Sequence, residues 1–177
     1  MHMSDDRQIK ADPATVYAAI LDPEMLKACV PGASEVEGNP QDGYTATVTQ
    51  KVGPVKATFK GQVTMSDMVE NEKITIAGEG KGGAAGFAKG GATVTLAPAG
   101  EGLTLLSYEV EAKVGGKLAQ LGSRLIDGFA KKMADQFFQN LQAQIEGPAE
   151  ESDAQEPEAG AETSEKKGWF KRVTGRE

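Results

Sequence analysis

The chain has 177 residues and a formal net charge of −7, enough length for one sizeable domain with some to spare. The acidic excess is uneven, and an acidic body argues against general nucleic-acid binding, which depends on cationic contacts to phosphate. One cysteine, Cys29, excludes an internal disulfide, and the one histidine, His2, lies in the opening "MHM", too far from the predicted core to serve a Ser-His-Asp triad, a Cys-His pair or a His-ligated metal site.

The segment "RQIKA" at residues 7–11 predicts a short first strand. Asp12-Pro13 then reads as an N-cap followed by proline in the first helical turn, and "PATVYAAIL" gives a short helix. Asp22-Pro23 repeats the signal for a second helix, stopped by Pro31-Gly32. Strands follow. Tyr44, Ala46, Val48 and Val52 fall on even positions, Gly53-Pro54 turns the chain, and Val55, Ala57, Phe59, Val63 and Met65 fall on odd ones. That parity switch marks a hairpin in which each strand buries one face. "EKITIAG" and "ATVTLAP" give two more strands. Beyond Gly100-Glu101-Gly102, Leu106, Tyr108, Val110, Ala112 and Val114 alternate with polar residues in the last. Short connections throughout predict an antiparallel meander.

From Lys117 the period becomes helical. Leu118, Leu121, Leu125, Phe129, Met133, Phe137, Leu141 and Ile145 recur every three or four residues until Gly147-Pro148. The expectation is one helix of about 28 residues, on the order of 40 Å long. The fold class is therefore α+β: a helix-grip fold, with a curved antiparallel sheet of about six to seven strands wrapped on a long C-terminal helix and two short helices after the first strand. This domain spans residues 1–146.

The stretch "GEGKGGAAGFAKGG" at 78–91 contains a literal G-x-G-x-x-G, but an alternating strand follows where a dinucleotide site needs a helix. Its glycines are expected to bend the sheet and leave a gap beneath the helix, with Phe87 inserted there. Phe59, Met65, Phe87, Tyr108, Leu125, Phe129, Met133 and Phe137 are expected to face the interior. Periodicity alone fits an ordinary packed core. The fold plan and the small inner-face residues add room for a ligand cavity. Glu109 and Glu111 share a solvated strand face with Lys113, and Cys29 reads as a small buried residue at a helix end. No catalytic or metal-ligating set is expected.

Residues 147–165 carry seven acids, no base and no aromatic residue, the composition of a disordered linker. Residues 166–177, "KKGWFKRVTGRE", place Trp169 and Phe170 between Lys166-Lys167 and Lys171-Arg172. Aromatic residues flanked by cations suit an anionic membrane surface or an acidic groove on a partner. There is no N-terminal apolar run and no stretch of 18 apolar residues, so the expected location is cytoplasmic and peripherally membrane-associated.

"LDPEMLKACVPG", "KVGPVKATFKG", "GEGKGGAAGFAKGGATVTL" and "GGKLAQLGSRLIDGFAKKMADQFF" together resemble the family of the carbon monoxide dehydrogenase G subunit, within the START-like helix-grip superfamily. The resemblance covers about Arg7 to Ile145. It implies a non-enzymatic accessory role beside a molybdenum-containing CO dehydrogenase or related hydroxylase. That role comprises recruitment of the enzyme to the inner membrane surface and carriage of an apolar small molecule, a quinone or lipid, in the grip cavity. No intrinsic cofactor is implied. The alternative is a solid-cored assembly scaffold for the molybdenum enzyme that binds no small molecule. A hydrolase or cyclase of the same superfamily ranks last, because it needs a cavity-facing acid, base or histidine.

Overall fold

A computed structural model describes residues 1–147. The acidic segment from residue 148 onward and the cationic aromatic segment at 166–177 lie outside the described residues.

Strand β1 (His2–Ile9) leads into helices α1 (Pro13–Leu21) and α2 (Pro23–Cys29). Both helices start as the sequence requires. The Asp12 carboxylate accepts from the Thr15 amide at 2.8 Å and that of Asp22 from the Glu24 amide at 2.9 Å, satisfying amides that a helix start leaves orphaned. Six further strands follow: β2 (Ala33–Asn39), β3 (Gly43–Val52), β4 (Val55–Val69), β5 (Lys73–Lys81), β6 (Phe87–Gly100) and β7 (Leu103–Gly115). A short α3 (Lys117–Gln120) and a long α4 (Ser123–Glu146) complete the domain.

All seven strands form one antiparallel sheet in the order β1-β7-β6-β5-β4-β3-β2. Strand β1 therefore closes one edge against the last strand, and the rest is a meander. Partners across the ladders keep the predicted parity: Val48 faces Phe59, Met65 faces Ile76, and Val94 faces Tyr108.

The packed core gathers Ile9, Val16, Ile20 and Cys29 from β1 and the short helices, Ile74, Val94, Leu96, Leu106 and Tyr108 from the sheet, and Phe138 and Leu141 from α4. Phe138 stacks on Tyr108 at 4.7 Å between ring centroids. Arg7 from β1 lies over the Phe138 ring and pairs with Asp135 at 2.5 Å. Asn140 donates to the Cys29 carbonyl at 2.9 Å. These contacts fix the second half of α4 onto the sheet.

Three details depart from the sequence reading. Strand β1 runs over residues 2–9 rather than 7–11, because its whole length pairs with β7 from Glu111 to Thr104. Strand β2 is an edge strand with a single large apolar residue, Val36, so no alternation announces it. The helix expected from Lys117 is broken. Gly122 takes φ +93, a left-handed conformation that stops α3 before α4 begins at Ser123.

Candidate functional site

The core occupies only part of the space between sheet and helix. Beside it lies a groove of about 780 Å³, within the range that holds a small molecule.

One wall is the inner face of the sheet: Val48, Val52 and Phe59 from the β3–β4 hairpin, Ala88 from β6, and Val110, Ala112 and Val114 from β7. The N-terminal Met1 and Met3 border it beside β7, and Met3 pairs with Val110. The roof is α4. Because Gly122 resets the helix phase, Ile126, Phe129, Ala130, Met133, Ala134 and Phe137 look into the groove, with Leu118 from α3 beside them. Their spacing of three and four residues is one helix face. The lining is overwhelmingly apolar. Its two charged members, Lys113 and Asp127, are both exposed, and Gln50 spends its amide on the Pro31 carbonyl.

Alanines stand at Ala88, Ala112, Ala130 and Ala134, where larger residues would fill the space. Strands β4 and β5 also approach closely at Gly61. A Cβ added at Gly61 would stand 2.5 Å from the Glu79 carbonyl oxygen, so only a residue without one allows this approach of β5 to β4.

Phe59, Phe129, Met133 and Phe137 are brought together in the lining. The other four expected members lie elsewhere. Tyr108 is buried in the core against Phe138, and Met65 packs against that core. Leu125 flanks the groove: it is 40% exposed, with its side chain beside Gly53, because the break at Gly122 turns it off the inward face. Phe87 is 43% exposed and shares the outward parity of Lys89, with its ring lying over the α-carbon of Gly115. It does not enter the gap. Nor do the glycines of 78–91 line it; Ala88 alone of that stretch does. The apparent nucleotide motif is a strand end, a three-residue turn (Gly83–Ala85) and a new strand, with Gly82 donating to the Gly86 carbonyl at 2.8 Å.

Cys29 is fully buried, and burial pushes its thiol up to about 11. That excludes thiolate chemistry near neutral pH. Glu109 and Glu111 are exposed on the outer face beside His2, the nearer contact being 3.4 Å. Among the described residues no cluster of His, Cys, Asp or Glu could hold a metal ion, and no helix is long and apolar enough to cross a membrane.

The sequence signal for the groove is partial. The aromatic and methionine stripe of α4 is periodic, but Val30, Met1, Met3 and the alanines carry no motif. The fold alone collects them.

Residues 6–146 match the family model of the carbon monoxide dehydrogenase G subunit (CoxG). The chain belongs to that family. No curated protein matches it. Among solved structures it is similar to a conserved protein from Geobacillus kaustophilus, at 27% identity and a TM-score of 0.77, over 82% of this chain and 95% of that one. A START superfamily protein from Mycobacterium smegmatis shares the fold at 16% identity and a TM-score of 0.63, over 82% and 97% of the two chains. A protein from Chromobacterium violaceum does so at 23% and 0.60, over 82% and 97%. The family match places the chain with the G subunit of carbon monoxide dehydrogenase, and the START superfamily neighbour shares its fold.

Proposed function

We propose that this CoxG protein carries an apolar small molecule, a quinone being the leading candidate, in the groove beneath α4. In this reading it serves a molybdenum-containing CO dehydrogenase or related hydroxylase at the inner membrane surface. The observation that carries the reading is the groove itself. An apolar space of about 780 Å³ beside a well-packed core is costly to leave in a domain unless something occupies it. It favours a carrier over a solid-cored assembly scaffold. The family's name supports a carbon monoxide dehydrogenase as the partner. Recruitment draws on the composition of Lys166, Lys167, Trp169, Phe170, Lys171 and Arg172, whose rings and cations suit an anionic interface.

Titration with decylubiquinone, followed by native mass spectrometry, tests the carrier. A one-to-one adduct is expected, and its absence at every ratio removes the quinone reading. Vesicle co-sedimentation of the full chain against W169S/F170S tests the tail. Equal partition of the two eliminates it as an anchor.

A further inference from the structure

We infer that the end of the sheet reached by the groove is itself a docking face for an anionic lipid bilayer, independent of the chain's C-terminal residues. Three segments meet at this end: the β3–β4 hairpin (51–60), the β5–β6 connection (80–91), and the end of β7 through the start of α4 (112–126). Together they contain eight lysines and arginines and no acid, with Glu79, Glu111 and Asp127 at their margins. All eight are exposed. The turns at the opposite end carry Asp42, Glu70, Glu72 and Glu101. The domain is therefore charge-polarised along its strands, although residues 1–146 are acidic in sum.

Lys51 faces Lys56, Lys60 faces Lys81, and Lys89 faces Lys113 on adjoining strands. Like charges directly opposite one another destabilise a sheet, and here the arrangement occurs three times on one outer face. Among the described residues none of these lysines makes an ion pair. Lys89 has Glu79 opposite it on β5, and Glu35, Glu37 and Glu79 border the same surface as Lys60 and Lys81. The pair with no such acid is Lys51–Lys56 at the hairpin tip, whose repulsion a negative surface would offset. Exposed apolar groups sit among the cations. Phe87 occupies the position opposite Lys81, and Leu125 lies against the hairpin tip at Gly53, next along the chain from Arg124. Cations around a protruding aromatic ring and leucine fit the headgroup region of a bilayer. Val52, Val114, Gly122 and Ser123 bring the groove walls to the same end, so docking would set its mouth against the lipid. That last step rests on the carrier reading; the docking face does not.

Co-sedimentation of the full chain with phosphatidylcholine vesicles, with and without phosphatidylglycerol, tests the inference. The chain is expected to bind the anionic vesicles. K56E/K81E should then lose about tenfold in partition, while its melting temperature stays level or rises, because two like-charge pairs become opposite-charge pairs. A F87W/W169F variant places the chain's only tryptophan on the face. Its emission should shift to the blue and be quenched by brominated lipid on anionic vesicles. Unchanged partition of K56E/K81E, absence of quenching at position 87, or binding to an acidic protein with none to anionic vesicles overturns the inference. Decylubiquinone retention by K56E/K81E is read separately, so failure of the carrier reading stays distinct from failure of the docking face.

Discussion

Phe59 lays its ring over the α-carbon of Gly82. A Cβ added there would stand 2.5 Å from Phe59 Cε1 and 2.8 Å from Cδ1, so the ring's position in the groove wall depends on the missing side chain. Gly82 itself has φ −114, which an alanine tolerates. Gly82→Ala should therefore act through the ring alone. It should cost about 1–3 kcal/mol in urea denaturation, the usual penalty of overpacking, and weaken decylubiquinone binding. A full-strength ligand with the stability loss present would show that Phe59 does not shape the site.

The Arg7–Asp135 pair ties β1 to α4, with Phe138 under the guanidinium. Both side chains are partly shielded, 17% and 35% exposed, so the pair should exceed an open surface bridge. Asp135→Asn keeps the shape and removes the charge. A loss of about 1–2 kcal/mol is expected. A double-mutant cycle with Arg7→Ala should show coupling, and strict additivity would count against the tie.

Burial raises the Cys29 thiol from 9.0 to about 11. The folded state thus holds its proton more tightly than the unfolded chain. The resulting stability is fully present below about pH 9 and is lost as pH rises through about 11. Native protein should resist a thiol-disulfide reagent at pH 8 and react at full rate in urea. Prompt labelling of the folded chain would contradict the burial.

Filling the groove should separate binding from folding. Ala88→Leu and Ala130→Leu add apolar volume to the lining without touching the core. Each should reduce decylubiquinone affinity at least about tenfold, with the melting temperature held or raised, as filling an apolar space usually does. In the unaltered chain, ligand at about one hundred times its dissociation constant should add roughly 2.7 kcal/mol of stability. Loss of stability in both leucine variants would mean that the space is smaller than the geometry indicates.

Much of the fold is legible in the sequence because its signals are local. The parity change across Gly53-Pro54 marks the hairpin, and Asp12 and Asp22 cap the helices they precede. Where the signal is not local, the sequence is silent or misleading. Strand β2 has only Val36 to bury, since an edge strand needs little else. The heptad-like run from Leu118 through Leu125 continues across Gly122, so periodicity cannot register a break set by one dihedral angle. Sequence misplaces Phe87 because glycine density hides parity; only pairing with Lys81 and Gly115 assigns its face. The alanines of the groove carry no pattern. They matter for what they leave empty.

Helix α4 divides labour along its length. Phe138 and Leu141 are sunk in the core, whereas the turns from Ile126 to Met133 roof open space. Substitutions in those first turns remove few packed atoms, so they should be tolerated by the fold far better than those a few turns later. The same scaffold can then exchange one guest for another over evolutionary time at small thermodynamic risk. A designer seeking a new ligand would begin at Ile126, Ala130 and Met133, and would leave Phe138 untouched.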